Sequence, residues 1–214
     1  MAKMRRGIFG PISGRLGPVV GGVWKGIAYL RGAPKKKIKS APRSQLQIEN
    51  EQKMKFMNEV LVPFHPFINI GFQNLAKAKT AISAAYSANY YTAITGVYPN
   101  LGVDYSRLVL ALGNLPGLNS SQASLSAPDT LQLNWIANQG NKAVYNDQLM
   151  LVVYSPQLGI SDGFVGAALR RDLECSFKFD PRLVGMQLEV YVSLTSFDRK
   201  KIANSIYLGR INPL

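Results

Sequence analysis

Short runs of alternating hydrophobic and polar residues follow one another from Tyr105 to the end of the chain, separated by turn-forming residues. Alternation with a period of two is typical of β-strands that bury one face. The spacing and length of these runs predict an antiparallel β-sandwich of about seven strands. The predicted strands cover Arg107 to Leu112, Thr130 to Ile136, Gln148 to Tyr154, Ala167 to Phe179, Gln187 to Thr195 and Asn204 to Leu208, with a weaker candidate at Ala123 to Ser126.

Between residues 44 and 104 the hydrophobic spacing becomes helical. Ser44 and Gln47 form a capping-box pair, and the apolar residues that follow predict a helix from about 45 to 61. A second helix is predicted to begin near Pro66, and its pattern either continues or breaks before Gly96. We therefore expect residues 44–104 to form a helical connector, which is also rich in tyrosine through Tyr86, Tyr90, Tyr91 and Tyr98.

The first 43 residues contain a seven-residue repeat, GIFGPIS at Gly7 to Ser13 and GRLGPVV at Gly14 to Val20. Its glycines have heptad spacing, but a glycine costs about 1 kcal/mol in a helix interior and a proline about 3 kcal/mol. The Gly-Pro steps instead favour turns that let the backbone lie against another surface. Val19 to Gly32 is predicted to be a strand or hairpin, and Pro34 to Lys39 a solvated linker.

Positive charge is concentrated in the same segment. The chain has 25 Lys and Arg against 12 Asp and Glu, for a formal net charge of +13, and eleven of the basic residues lie in the first 43, which contain no acidic residue. Such an excess implies an acidic counterpart: nucleic acid, anionic lipid or an acidic groove on a protein. We expect a basic, Gly-rich interaction arm over residues 1–43, the helical connector over 44–104, and a β-sandwich domain over 105–214.

None of the motifs predicts a catalytic site. Gly159 to Gly163 matches the G-x-S-x-G pattern of serine hydrolases, but no helical pattern follows, and the single histidine, His65, precedes Ser161. We predict that this motif is an ordinary loop between strands. One histidine and one cysteine, Cys175, are too few for a zinc site, and no calcium or phosphate-binding motif occurs. The sequence predicts a non-enzyme with no cofactor and no metal.

No stretch has the features of a secretion signal or of a transmembrane helix. Gly10 and Pro11 interrupt the apolar region that a signal peptide needs, and the apolar-rich stretch from Pro18 to Leu30 contains Lys25 and is too short to span a bilayer. We expect cytoplasmic synthesis, and we do not expect a membrane partner. Later export and association with a particle both stay open.

The arm has two main functional interpretations. In the first, it packs into an adjacent subunit of a homo- or hetero-oligomer while its charges meet acidic protein surface. The proposed packing residues are Gly7, Phe9, Gly10, Gly14, Gly17, Gly21, Trp24, Gly26 and Tyr29, and the proposed charge contacts are Arg5, Arg6, Arg15, Lys25 and Arg31. In the second, the basic residues contact the phosphates of a nucleic acid and the aromatic residues stack on its bases. A membrane surface and a merely solvated arm are the remaining alternatives.

Two resemblances extend this interpretation. LQLNW, ending at Trp135, and the later YVSLTSF give the predicted sandwich an architecture similar to immunoglobulin and fibronectin type III domains, which implies no function. The N-terminal GxxGPxSGRLGPVVG, the following WKGIAYLRG and the closing YVSLTSFDRKKIANSIYLG resemble an uncharacterised family found mainly in Bacteroidota. That resemblance implies that arm and sandwich belong together, and it implies no activity. We expect a structural or interaction protein of a filament, a phage-like particle or the cargo of an injection-type tube, with nucleic-acid binding or packaging as the alternative.

Overall fold

A computed structural model describes residues 3–4, 10–35, 42–77, 79–137 and 143–213 of the 214-residue chain. The chain forms two compact units, Met1–Ser44 and Gln45–Leu214. The N-terminal unit corresponds closely to the predicted arm. The larger unit contains the helices and the β-sandwich together.

The N-terminal unit is a four-stranded antiparallel meander. Its strands are β1 (Lys3–Met4), β2 (Ile12–Leu16), β3 (Val19–Trp24) and β4 (Ile27–Gly32), and they lie side by side in chain order. The turn between β3 and β4 is the dipeptide Lys25-Gly26, in which both residues have positive φ, as a tight two-residue hairpin requires. The hairpin predicted over Val19 to Gly32 is confirmed. Most of the predicted linker, residues 36–39, lies outside the described residues.

Three α-helices follow: α1 (Gln45–Leu61), α2 (His65–Gly71) and α3 (Ala81–Asn89), with 3-10 turns at Val62–Phe64 and Gln73–Leu75. The prediction for α1 is confirmed. The second predicted helix ends at Gly71, whose carbonyl accepts a hydrogen bond from the Leu112 amide at 3.1 Å instead of continuing the helical ladder. Thr80 then starts α3 as its N-cap, since its side chain accepts a hydrogen bond from the Ser83 amide. A short hairpin, β5 (Ile94–Val97) and β6 (Asn100–Val103), was not predicted.

The predicted immunoglobulin/fibronectin-like antiparallel β-sandwich is confirmed. One sheet has the order β11 (Glu174–Lys178), β8 (Thr130–Ile136), β7 (Asn119–Ala127). The other has the order β10 (Ile160–Leu169), β9 (Gln148–Ser155), β12 (Leu188–Thr195), β13 (Ile206–Ile211). Between them lies a core of alternate side chains, among them Leu131, Leu133, Trp135, Leu149, Leu151, Val153, Val190 and Val192.

The helices cover the outer face of the four-stranded sheet. Met150, Val152 and Tyr154 of β9 and Tyr191 of β12 form a second core with residues of the helical segment such as Phe64 and Ile68. Residues 149–155 of β9 and all of β12 are consequently buried on both faces. The helical segment therefore forms a layer of the larger unit and completes the burial of its central strands.

Two of the strand predictions and the loop prediction at Gly159 to Gly163 were wrong. Arg107 to Leu112 is irregular, because the amides of Val109, Leu110 and Leu112 donate hydrogen bonds to Asn89, Ser205 and Gly71, none of which lies in a strand. The segment Ala167 to Phe179 contains two strands, divided by a turn at Arg170–Asp172 and by Leu173 with a positive φ of 63°. The region predicted as a loop, Gly159 to Gly163, is a turn only at its start, because β10 begins at Ile160.

Candidate functional site

One face of the arm sheet is apolar. The β2–β3–β4 register places Leu16 beside Val19, Gly21 beside Leu30, and Val23 beside Ala28 on this face. We call Leu16, Val19, Val23, Ala28 and Leu30 the apolar arm face. Leu16 is 59%, Val23 52% and Leu30 63% exposed. Soluble proteins usually cover a continuous group of apolar side chains of this kind with another layer or with a partner.

Gly21 makes the centre of this face compact. A Cβ at position 21 would lie 2.3 Å from the carbonyl oxygen of Ile12. Any side chain there would displace β2, so the predicted close backbone approach exists at this position within the arm itself.

The opposite face carries aromatic and basic side chains. Trp24 pairs with Ile27, and Arg15 and Arg31 both pair with Val20 in the register. The ring of Tyr29 lies over Gly22, where a Cβ would approach the tyrosine oxygen to 2.8 Å. Lys25 Nζ lies 5.3 Å from the centroid of the Trp24 ring. We call Arg15, Trp24, Lys25, Tyr29 and Arg31 the aromatic-basic arm face.

The structure places the predicted packing and charge-contact residues of the arm in several separate positions. Trp24, Tyr29, Arg15, Lys25 and Arg31 come together on the aromatic-basic arm face. The predicted packing glycines occupy a bend, the strands β2 and β3, and turns, at Gly10, Gly14, Gly17, Gly21 and Gly26. Gly7, Phe9, Arg5 and Arg6 lie outside the described residues. The apolar arm face was missed, because only the register shows which hydrophobic residues share a side.

A tyrosine cleft lies in the larger unit, between α1, the end of α3 and the β5–β6 hairpin. Its volume is about 340 Å³, and it is lined by Lys53, Asn50, Tyr90, Tyr91 and Tyr98 among others. Lys53 Nζ lies 5.0 Å from the Tyr90 ring centroid and 5.9 Å from that of Tyr91. The Tyr90 hydroxyl donates a hydrogen bond to Asn50 Oδ1, and burial raises the pKa of Tyr90. Lys53 is engaged with two aromatic rings, and Asn50 is engaged with the Tyr90 hydroxyl. We therefore assign the residues that line this cleft a packing role.

Three buried charged residues, Glu189, Asp147 and Arg170, have protein partners. Glu189 is fully buried and accepts hydrogen bonds from the Tyr207 hydroxyl and from Arg210 Nε at 2.8 Å. Asp147 and Arg170 form the other pair, at 3.0 Å. Both carboxylates are thus paired within the fold, as buried charged groups usually are.

The serine of the hydrolase-like motif makes a structural contact. Ser161 lies within β10, and its hydroxyl donates a 2.7 Å hydrogen bond to the carbonyl of Pro63. Asp162 accepts hydrogen bonds from the amides of Gly163 and Asp180. These bonds fix β10 to the helical layer and to the loop before residue 181. Across the part of the chain that the structure describes, no cluster of His, Cys, Asp or Glu could hold a metal ion.

None of the helices within the described ranges combines the length and the apolar composition that a bilayer crossing needs.

No curated protein matches the chain. Among solved structures it is similar to the fibronectin type III domain of human collagen alpha-1(XX) chain, with 15% sequence identity and a TM-score of 0.30, over 45% of this chain and 84% of that chain. A family model, described as a family of unknown function (DUF6266), matches residues 11–209. This match spans β2 of the arm, the helical layer and both sheets of the sandwich, and the chain therefore belongs to that family of unknown function.

Proposed function

We propose that this protein is a non-enzymatic structural or interaction protein whose N-terminal arm docks into a larger assembly. A filament, a phage-like particle or cargo of an injection-type tube would each provide suitable neighbouring subunits. The observation that supports the proposal is the apolar arm face, which the arm sheet exposes on one side. A partner subunit with an apolar surface would bury it.

The apolar arm face supplies only part of the binding free energy. Full burial of a leucine or valine side chain stabilises by about 1.5–3 kcal/mol. Leu16, Val23 and Leu30 each have roughly half to two thirds of that burial still to gain, so together they provide about 3–5 kcal/mol. Association costs about 4–15 kcal/mol in lost translational and rotational freedom. Docking therefore needs further contacts. The exposed strand β4 at the edge of the arm sheet and the basic side chains of the arm are available to make them.

In this proposal the arm charges set the orientation of docking and the rate of encounter. Complementary surface charges raise association rates and exclude wrong partners more than they raise affinity. The arm has eleven basic and no acidic residues, so acidic residues around the apolar receiving surface would guide it.

A nucleic-acid-binding or packaging protein is the second candidate. The aromatic-basic arm face favours it, because Arg15, Trp24, Tyr29 and Arg31 share one side of the sheet. Two arginines near an aromatic platform could hold phosphates while bases stack on the rings. Such binding weakens steeply with salt, with log K falling by about 0.9 for each phosphate neutralised on duplex DNA. Absorbance of the purified protein at 260 nm and salt-dependent retention of DNA would test it.

Deletion of residues 1–43 tests the docking proposal. The remaining unit begins at Gln45 and has both of its hydrophobic cores, so we expect it to stay folded by circular dichroism. We expect it to remain monomeric where the full chain assembles. Unchanged particle size by light scattering after the deletion would overturn the proposal.

A pair of matched point variants tests the face itself. Leu30→Asp places a charge on the apolar arm face, whereas Ser13→Asp adds the same charge to an exposed position of β2 outside that face. We expect Leu30→Asp to abolish assembly and Ser13→Asp to retain it. Loss of assembly in both variants would show that net charge, and not the apolar arm face, controls assembly. Assembly by both would show that the apolar arm face is not required.

A further inference from the structure

Strand β4 forms an open edge of the arm sheet. It is the last strand of the meander, and all six residues from Ile27 to Gly32 are exposed. A strand at the edge of a sheet presents unpaired backbone N–H and C=O groups that can pair with a strand from another chain. Among the described residues of the arm, no strand lies on the outer side of β4.

The hairpin geometry shows which backbone groups face outward. A two-residue turn at Lys25-Gly26 makes Trp24 and Ile27 a hydrogen-bonded pair, and such pairs alternate along an antiparallel ladder. Ile27, Tyr29 and Arg31 therefore direct their backbone groups towards β3. The bond from the Ala33 amide to the Pro18 carbonyl, 2.7 Å long, continues the same alternation. The backbone groups of Ala28, Leu30 and Gly32 consequently point away from the sheet.

The edge has few of the features by which proteins usually prevent strand pairing. Proline, β-bulges and inward-pointing charged side chains are the common protections. Ile27 to Gly32 contains no proline, its pairing with β3 continues without a register shift, and its one charged residue is Arg31 near the end. The strand is thus suited to accept another strand.

We propose that the partner of this edge is β4 of a second copy, paired antiparallel about a two-fold axis at Leu30. This inference rests on the proposed function and names the partner of the sheet edge; the apolar arm face stays available for the docking surface proposed above. In this register Leu30 pairs with its own symmetry mate, and Ala28 pairs with Gly32 of the second copy. All six outward-pointing residues of the two strands then pair, and the two meanders become one eight-stranded sheet.

The side chains of β4 are self-complementary in this register. Leu30 meets Leu30 of the second copy, which joins the two apolar arm faces into one surface. On the other side, Tyr29 lies opposite Arg31 of the second copy, and this pairing occurs twice. A guanidinium beside a tyrosine ring is a favourable cation–π pair, and no arginine lies directly opposite another arginine.

Because the arms are strongly basic, the effect of salt on association distinguishes pairing of two arms from binding of an acidic partner. Each arm has eleven basic residues, so two paired arms repel each other at low ionic strength. Raising the salt shortens the screening length from about 30 Å at 0.01 M to about 8 Å at 0.15 M. We expect pairing through β4 to strengthen with salt, whereas binding of nucleic acid or of an acidic protein would weaken.

Cysteine cross-linking of the full-length chain tests the pairing. Hydrogen-bonded antiparallel partners have Cα atoms about 5.5 Å apart, within the range that a disulfide spans. In a Cys175→Ser background, Leu30→Cys should form a disulfide-linked dimer under mild oxidation. Val23→Cys is the matched control, because it is similarly exposed on the same face but lies on the inner strand β3. Two β3 strands in the paired sheet are about 14 Å apart across it, so this control should dimerise without forming a disulfide.

A backbone variant separates strand pairing from side-chain contact. Ala28→Pro removes one outward-pointing N–H and leaves the bonds of β4 to β3 in place, whereas Ala28→Thr keeps that N–H and favours the strand. In sedimentation experiments we expect Ala28→Pro to raise the dimer dissociation constant at least ten-fold and Ala28→Thr to leave it nearly unchanged.

The outcomes are distinguishable. Equal cross-linking of Leu30→Cys and Val23→Cys, or none by either, would overturn pairing at β4, as would equal effects of Ala28→Pro and Ala28→Thr. If pairing fails while deletion of residues 1–43 still abolishes assembly, the docking function stands with a different partner for the edge. If that deletion has no effect either, both proposals fail.

Discussion

The ion pair of Asp147 and Arg170 offers a quantitative test of how the sandwich is stabilised. The side chains are 1% and 4% exposed, so neither charge is solvated by bulk water. Arg170 Nε and Nη2 each lie 3.0 Å from Asp147 Oδ2. Its other donors reach the carbonyls of Pro116 at 2.6 Å and Gly117 at 3.1 Å. The guanidinium thus fixes the segment before β7 against the start of β9.

Replacing Asp147 with alanine leaves this guanidinium buried without its counter-charge. Breaking a buried pair in this way typically costs about 3–5 kcal/mol. The amide of Val144, which bonds Asp147 Oδ2 at 3.2 Å, also loses its acceptor. Because a domain is usually stable by only about 5–15 kcal/mol, we expect a substantial part of the folding free energy to be lost.

Urea denaturation followed by circular dichroism measures the loss. We expect Asp147→Ala to lower the midpoint strongly with an unchanged slope, and to lower Tm by roughly 6–20 °C at about 2–4 °C for each kcal/mol. Glu59→Ala is the matched control, since it removes a carboxylate whose pair with Lys55 is exposed on α1. Exposed pairs of this kind contribute at most about 1 kcal/mol. If Asp147→Ala and Glu59→Ala each lower the free energy of unfolding by less than about 1 kcal/mol, the Asp147–Arg170 pair does not stabilise the sandwich in this way.

Three further predictions follow from the described contacts. Gly21→Val should disrupt the arm sheet and assembly, because a Cβ at this position would lie 2.3 Å from the Ile12 carbonyl oxygen. Gly26→Asn is the control and should be tolerated, because this turn residue has a positive φ and open space around it. Equal particle sizes of the two variants in light scattering would contradict this prediction. Burial raises the pKa of both Tyr154 and Tyr207 to about 12, above the unfolded value near 10. Their contribution to stability is therefore complete below pH 10 and falls as the pH rises towards 12, and Tyr207→Phe should flatten that fall in urea titrations. Amides of Ala28 and Leu30 should exchange rapidly with solvent in the monomer and slowly in the assembly; slow exchange in a verified monomer would show that the arm needs no partner.

Sequence patterns predicted the elements whose signals are local. The capping box at Ser44 and the helical spacing after it gave α1 its observed bounds, Gln45–Leu61. Strand β8 alternates strictly because one of its faces packs in the core and the other does not, and it too was predicted residue for residue.

The elements that were missed depend on contacts between distant residues. Strand β10 contains Gly163 and Gly166, both with positive φ, and its register is irregular, so it has no clean period of two. The alternating residues Leu108 and Leu110 resemble a strand, yet they alternate because they are buried among the helices. The tyrosine cleft joins Asn50 and Lys53 to tyrosines about forty residues later, a proximity that no local pattern encodes.

The described residues of the arm sheet bury almost no side chains within the arm itself. Among the arm residues whose burial is described, Gly21 is the buried one, and glycine has no side chain to contribute to a core. Ordering a residue of the chain costs about 1–2 kcal/mol, and the hydrogen bonds of the meander each return only about 1 kcal/mol net. The larger unit offsets that cost with two buried cores, whereas the arm has no comparable apolar burial within its described residues. Burial of the apolar arm face by a partner would supply the free energy that offsets this loss of conformational entropy. Docking and ordering of the arm should therefore occur together.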